Sequence, residues 1–507
     1  MGKKRESRGK RSDTQESSEC NLDGEFQTPV HSYRDLTLEN IRTTLTHSRY
    51  VQTLLSVTFI GFILRFYHLG YNSLWLDEAS TLTFAVKSIP GIWQATTSGE
   101  FNPPLFYWAE HLMLTFGNSE VILRFLPALL GVLTIPLVYL AGREFIDRNV
   151  GIIAASAFAF SPFLIYYSQE ARAYSMMLFF VTFSMVYYFR ALKNNDTKDW
   201  ALFGILSALA FWSHFYALVI IGALILYALY ELIPKIRNNM SAARPVVTAG
   251  VIFGLISLPL ILITIQLFAL RTASSPTFGI QGPDLILATF AQVSGSEIVM
   301  YIFLLLFIAG VIQAFLMDRN KGIFLVTVVV LTFVISNFLS YRIPMQPRYL
   351  IFIAIIYFMA IALVYRLLFT QLNSRGIVYG FLAFMVVINA PLLAGYYSGY
   401  TKEDWRGLAG QLQQLTKPGD QIVLVPGYLY QPFDYYYSNK SVGTMELYAN
   451  NEKSLEAIYA GSRNTTTYYI VTGDISSADP TGGAVAWLEN NTKYLGNRNG
   501  ISLLVSG

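Results

Sequence analysis

Charge is missing from this chain in blocks, and the blocks are long enough to cross a bilayer. A transmembrane helix needs about 20 predominantly apolar residues. Such stretches recur near 50–70, 121–141, 150–166, 174–191, 200–213, 215–232, 246–270, 297–317, 322–341, 348–366 and 376–398. Only 13% of the 507 residues are charged and 53% are hydrophobic, against roughly 25% charged in soluble domains. The pattern is that of a polytopic α-helical membrane protein, anchored in a plasma or ER-type membrane and surrounded by membrane lipids. The run from Trp200 to Tyr230 is read as two helices meeting near Ser213-His214. As one helix it would be about 46 Å long at 1.5 Å per residue, too long for a hydrocarbon core of about 30 Å.

Loop charge tests that choice, because cytosolic loops are enriched in Lys and Arg. With eleven spans and a cytosolic N-terminus, the inner loops carry Arg143 and Arg148, Lys193 and Lys198, Lys235, Arg237 and Arg244, Arg319 and Lys321, and Arg375. The first outer loop, 71–120, carries one Lys against Asp77, Glu78, Glu100, Glu110 and Glu120. The C-terminus is then extracytoplasmic.

Three domains are expected: a disordered cytosolic tail over 1–49, a transmembrane catalytic domain over 50–400, and an extracytoplasmic α/β domain over 401–507. The first apolar run begins near Tyr50, so a cleavable signal peptide is not expected. The tail is basic (Lys3, Lys4, Arg5, Arg8, Lys10, Arg11), which suits a topology-fixing extension, and the net charge of +4 is too small to point to nucleic acid. The single cysteine, Cys20, lies in that tail, so cysteine chemistry is excluded from the mechanism. Beyond residue 400, strands over Gln421–Val425 and Tyr468–Val471 alternate with helical patterns near 403–415, 429–437, 453–460 and 483–490. No glycine-rich phosphate loop is present, so no nucleotide cofactor is expected.

On this topology the unusual polar residues reach one side. Asp77 and Glu78 follow the first span, and Arg172 sits in the second outer turn. His214 lies at the third, Arg271 opens the fourth outer loop, and Arg342 and Arg348 flank the fifth. Ionisable residues at helix ends tend to mark sites. Each also has a plainer reading. The two acids could be solvated or cap a helix, Arg172 could pair with Glu170, His214 could be a hydrogen-bonded helix-end residue, and Arg348 could anchor to headgroups. Asn102-Pro103-Pro104 could simply start an interfacial helix over 103–116, since proline suits the first turn.

Five motifs occur in a characteristic order: Leu76-Asp77-Glu78, Asn102-Pro103-Pro104-Leu105-Phe106-Tyr107, Ser168-Gln169-Glu170-Ala171-Arg172-Ala173-Tyr174, His214-Phe215-Tyr216-Ala217 and Pro347-Arg348-Tyr349-Leu350. Over about 50–370 the chain resembles the GT-C glycosyltransferases that use a polyprenyl-phosphate sugar. Its motifs are most similar to those of the branch holding the dolichyl-phosphate-mannose protein mannosyltransferases and the bacterial aminoarabinose transferases. Lys402-Glu403-Asp404-Trp405-Arg406-Gly407 and the α/β tail resemble bacterial and archaeal members.

The resemblance implies a polyprenyl-phosphate-sugar donor, an acceptor that is a protein, a lipid or a glycan, and transfer with inversion on the outer side. It implies catalysis by Asp77 and Glu78, donor-phosphate binding by Arg172, Arg348, Asn102 and Arg342, and a divalent metal ion held by His214 and Glu78. Where the family usually has His or Lys before the proline pair, this chain has Asn102, which shifts the phosphate role toward Arg172, His214 and Arg348. The alternative from another class is a transporter or flippase of a lipid-linked or anionic solute, whose site should lie near the bilayer midplane. A membrane polymerase or ligase of surface polysaccharide shares the compartment but does not favour an Asp-Glu pair after the first span.

Overall fold

The computed structural model describes residues 22–23, 37–100, 102–272, 276, 278–372, 375–438, 442–462 and 465–506. The basic cluster at 3–11 and Cys20 lie outside them.

The chain enters through α1 (Leu38–His47), started by Thr37, whose side chain accepts from the Asn40 amide. This corrects the expectation of an irregular tail over all of 1–49: a cap plus Leu38, Ile41 and Leu45 at helical spacing is enough for a local helix. Ser48 caps α2 (Arg49–Phe66) by accepting from Val51. The first loop holds three short helices: α3 (Leu76–Ala85), α4 (Ile89–Thr97) and α5 (Pro104–Met113). Pro104 opens α5, where its missing N–H costs nothing.

The bundle continues through α6 (Glu120–Phe145), α7 (Arg148–Phe160), α8 (Pro162–Ser168), α9 (Tyr174–Asn194), α10 (Thr197–Ser213), α11 (Ala217–Asn238) and α12 (Arg244–Arg271). It ends with α13 (Asp284–Ser294), α14 (Glu297–Met317), α15 (Arg319–Ser340), α16 (Ile353–Ala362), α17 (Val364–Leu372) and α18 (Gly376–Tyr397). All eleven apolar segments fall on helices. Among the described residues seven are long and apolar enough to cross a membrane, or eight if α7 and α8, bent by 64°, form one span. α2, α10 and the stretch 353–369 fall short of that measure, so the count of eleven rests on them. The chain is an integral membrane protein.

Small residues let the helices close up, as expected where lipid supplies no hydrophobic drive. A Cβ on Gly142 of α6 would stand 2.8 Å from the Gly151 Cα of α7. Every residue of α16 is buried, making it the axis of the later helices.

The C-terminal domain is a five-stranded sheet of β1 (Gln421–Val425), β2 (Met445–Tyr448), β3 (Thr467–Thr472), β4 (Lys493–Arg498) and β5 (Ile501–Ser506), in the order β2-β1-β3-β5-β4. β1 pairs parallel with β2 and β3, and β5 pairs antiparallel with β3 and β4. Helices cover both faces. Trp405, Leu408 and Leu412 of α19 (Trp405–Leu415) pack on one, and Leu455, Trp487 and Leu488 on the other. β1 and β3 are therefore continuous apolar runs, as strands buried on both faces must be.

This domain sits on the first loop. Arg406 pairs with Glu120 at 2.6 Å, and the Tyr436 hydroxyl donates to Glu120 at 2.7 Å while accepting from the Leu74 amide at 2.7 Å.

Candidate active site

One cavity of about 660 Å³ opens where the first loop, three helix breaks and the C-terminal domain meet. Each element delivers a side chain for a local reason. Asp77 is in the first turn of α3, where a carboxylate complements the helix dipole. Arg172 lies in the tight turn 169–173, closed by the Arg172 amide bonding the Glu170 carbonyl at 2.7 Å. His214 ends α10 in an extended conformation, and α11 restarts three residues later. Arg348 lies in a short 3₁₀ turn, Pro347–Leu350, that leads into α16.

Asp77, Asn102, Arg172, His214 and Arg348 all line this cavity. The Asp77 carboxylate lies between the two arginines, 3.9 Å from Arg172 and 3.8 Å from Arg348. Arg172 also donates to the Asp77 carbonyl at 3.3 Å. Arg348 is held over the rings of Trp75 and Tyr349 at 5.7 and 5.6 Å. Tyr349 in turn stacks on Tyr216 at 4.8 Å, and the Tyr216 hydroxyl donates to the Pro344 carbonyl at 2.6 Å. Aromatic packing thus fixes the direction of the guanidinium. Asn102 donates to the Glu100 carboxylate at 3.3 Å and to the Tyr107 hydroxyl at 3.4 Å.

Glu78 is elsewhere. Its side chain is fully buried and receives two Arg124 bonds of 2.7 Å each and the Ala171 amide at 2.9 Å, with the Lys402 ammonium at 3.1 Å. Burial alone would push this carboxyl up, but Arg124 and Lys402 hold it down at about 2. The expectation that Glu78 faces the site beside Asp77 is corrected: it is the centre of a buried ion cluster joining α3, α6, the 169–173 turn and the start of the C-terminal domain. Arg342 is exposed and does not line the cavity, so the structure does not bring it to the other site residues.

Arg271, read from sequence as opening the fourth outer loop, ends α12, lines the cavity and donates to the Gly99 carbonyl at 2.6 Å. Other neighbours have no site role in the sequence reading. Glu170 is fully buried, and among the described residues neither carboxylate oxygen has a hydrogen-bond partner. Burial raises it to about 7, with Lys402 opposing and Glu78 adding to the rise. Tyr428, Asp474 and Ser477 reach the cavity from the C-terminal domain. Arg124 had a legible signal, a charge inside the apolar run 121–141; the C-terminal trio had none.

The apolar wall comes from span residues, including Leu218, Val219, Leu267, Phe268 and Leu339. The site therefore combines an apolar slot, a guanidinium cluster, a carboxylate and a polar roof. Residues 102–263 match the family model described as dolichyl-phosphate-mannose-protein mannosyltransferase. The solved oligosaccharyltransferase of Archaeoglobus fulgidus, tethered to an acceptor peptide, is similar over 92% of this chain and 75% of its own, with a TM-score of 0.53 and 13% identity. ArnT from Cupriavidus metallidurans, bound to undecaprenyl phosphate, is similar over 90% of this chain and 98% of its own, with a TM-score of 0.53 and 12% identity. The fold is that of the GT-C glycosyltransferases. An uncharacterised protein of Aquifex aeolicus is 32% identical over 162 residues, 29% of this chain and 31% of its own. The chain spans about a third of the length of that curated relative.

One GT-C neighbour, the Archaeoglobus enzyme, was also solved in complex with Zn and sulfate, at a TM-score of 0.50 and 14% identity, over 88% of this chain and 73% of its own. The residues expected to hold a metal here do not fit one. Glu78 is committed to Arg124 and Lys402. His214 is buried, its Nδ1 accepts from the Tyr216 amide at 3.3 Å, and burial together with Arg172 and Arg348 holds its pKa at about 3. A ligand flanked by two guanidinium groups attracts anions rather than a cation. Among the described residues no group of three His, Cys, Asp or Glu side chains is arranged to hold a metal ion.

Proposed function

We propose that this protein is a membrane glycosyltransferase that moves a sugar from a polyprenyl-phosphate donor to a hydroxyl-bearing protein, lipid or glycan acceptor, on the extracytoplasmic side. The observation that carries the reading is the Asp77 carboxylate set between Arg172 and Arg348 at the mouth of an apolar slot. The likeness to structures bound to undecaprenyl phosphate and to an acceptor peptide supports it.

The polyprenyl chain lies against Leu218, Val219, Leu267 and Phe268, and its phosphate faces Arg172 and Arg348. The acceptor hydroxyl is a poor nucleophile, so a base within hydrogen-bond reach is needed; Asp77 takes its proton. The acceptor oxygen bonds to the anomeric carbon as the carbon–phosphate-oxygen bond breaks. The electron pair leaves with the polyprenyl phosphate, and the guanidinium groups stabilise the charge growing there. Direct displacement of this kind inverts the anomeric centre.

A transporter or flippase could use the same arginines. Against it, the cavity is walled in part by Tyr428, Asp474 and Ser477 of the C-terminal domain, at one end of the bundle rather than at its middle. The test is to supply membranes holding the protein with a set of labelled polyprenyl-phosphate sugars and to analyse products by mass. Sugar appearing on an acceptor, lost with Asp77→Asn, supports transfer. Movement of intact donor across the bilayer without cleavage supports the transporter.

A further inference from the structure

The C-terminal domain does more than cover the cavity: it contributes polar groups to the cavity wall. Tyr428 follows β1, and Asp474 and Ser477 follow β3, so the ends of adjacent parallel strands bring all three to one edge of the sheet. Crevices outside the carboxyl ends of such strands are where open α/β sheets bind ligands. Tyr428 donates to the Asp474 carbonyl at 3.4 Å. This ties the two loops together and leaves the Asp474 carboxylate free to face the cavity. Among the described residues no protein donor bonds that carboxylate or the Ser477 hydroxyl.

Arg172, Arg271 and Arg348 line the same cavity, but the charge that bears on Asp474 is acidic. Asp77 faces it from α3, and Glu403 approaches from the start of the domain. Burial and Asp77 together push Asp474 up, and burial with Asp474 pushes Glu403 up to about 7. The guanidinium cluster of Arg172 and Arg348 is engaged with Asp77. A half-buried carboxylate without a donor is costly unless something supplies one. A hydrogen-donating ligand in the cavity can supply that donor.

We infer that Asp474, Ser477 and Tyr428 form a subsite of the C-terminal domain that recognises the hydrogen-donating groups of the donor's sugar ring. The inference rests on the glycosyl-transfer reading, because it assumes a sugar attached to a phosphate held by Arg172 and Arg348. Asp474 accepts from ring hydroxyls or an amine, Ser477 both donates and accepts, and the Tyr428 ring offers an apolar face. A site built to hydrogen-bond a substrate group discriminates strongly against analogues lacking it, because its own buried polar groups are then left unpaired. Sugar choice is thereby assigned to the soluble domain, and the membrane domain handles lipid, phosphate and base.

The test measures binding of short-chain polyprenyl phosphate with no sugar and of the same lipid carrying one of a panel of pentoses and hexoses, with and without an amino group. The full-length protein in detergent or nanodiscs is used. Wild type should bind at least one sugar-bearing lipid roughly tenfold or more tightly than the bare lipid phosphate. Asp474→Ala should erase that difference, and Ser477→Ala should reduce it, with bare-lipid binding unchanged in both. Unchanged bare-lipid binding also reports that the variants are folded. Amino sugars bound best would identify the donor group as an amine, and neutral sugars bound best would identify hydroxyls. A preference that survives Asp474→Ala, or a wild type that does not distinguish sugar-bearing from bare lipid, overturns the inference. Failure of the bare lipid phosphate to bind overturns the glycosyl-transfer reading beneath it.

Discussion

Glu78 and Arg124 meet through two contacts of 2.7 Å each, with side chains 0% and 2% exposed. Asp77, one residue earlier, is 26% exposed and faces the cavity. Successive residues on a helix are rotated by about 100° at 3.6 residues per turn. An acidic pair in the first turn of α3 therefore cannot serve one site together. One carboxylate faces the cavity and its neighbour is taken by the fold.

The clearest consequence is a contrast between two neighbouring substitutions. Asp77→Asn should leave thermal stability near wild type and lower transfer by about 10²–10⁴-fold, the usual loss for a missing general base. Transfer within threefold of wild type would remove Asp77 as the base.

Glu78→Gln should instead lose folded protein. Breaking a buried ion pair from one side costs about 3–5 kcal/mol, because the partner charge stays buried and uncompensated; here Arg124 and Lys402 would both be stranded. The pH dependence has a definite sign. The folded pKa, about 2, lies below the ordinary carboxylate value of 4.5. The stabilisation from Glu78 is thus fully present above pH about 4.5 and fades as pH falls toward 2. Melting curves of wild type and Glu78→Gln should converge across that window. A Glu78→Gln protein that melts like wild type but cannot transfer sugar would restore Glu78 to the catalytic machinery.

Arg172→Ala and Arg348→Ala should each weaken use of the lipid-phosphate donor. Hydrogen bonds to charged groups contribute about 1.5–3 kcal/mol, so KM for the donor should rise by roughly tenfold to a hundredfold. Lysine at either position should restore part of the loss, because it keeps the charge without the planar fork. Steady-state kinetics with a defined polyprenyl-phosphate sugar decides it; two alanine variants with wild-type KM would make both arginines structural.

Glu170 carries the opposite pH sign to Glu78. Its folded pKa, about 7, lies above the ordinary value, so the folded state holds its proton longer than the unfolded chain. That contribution is present at low pH and is lost as pH rises from about 4.5 through 7. Glu170→Gln should remove this slope and melt higher than wild type at pH 8, with little difference at pH 5. A variant that melts lower at pH 8 would mean that the charged form is the stabilising one, paired with Lys402.

Much of this was legible because membrane helices and doubly buried strands announce themselves as apolar runs. Gln421–Val425 reads from sequence as the strand that it is. β2 does not, because it is a short edge strand with both ends exposed. β4 and β5 are joined by Asn499-Gly500, with φ of 44° and 97°, the turn pair that a tight hairpin requires. The convergence of Asp77, Arg172, His214 and Arg348 followed from topology, because helix ends on one side share one surface. Their neighbours did not follow. Arg65 and Arg124 lie inside segments read only for hydrophobicity, yet each is buried and satisfied by distant chain: Arg65 by Ser168 and the Ala159 carbonyl, Arg124 by Glu78 and the Ser73 carbonyl. Asp474 lies almost 400 residues from Asp77, and only the docking of the C-terminal domain brings them to one cavity.

That docking makes the side of the membrane testable from the C-terminus. Arg406, Tyr436 and Lys402 tie the domain to Glu120, Leu74 and Glu78 of the first loop and α6, so the domain and Asp77 share one face. On the reading of eleven spans with basic loops inside, that face is outside. A tag placed after Gly507 should therefore react with an impermeant reagent in intact cells, or be protected in sealed microsomes. Donor supply gives the result its weight, since a lipid-phosphate sugar suits a compartment without nucleotide sugars. A tag that reacts only after the membrane is opened in cells would move Asp77, both arginines and the polar roof together to the cytosol. It would reduce the span count to an even number, and the argument for a lipid-phosphate donor would then rest on the fold alone.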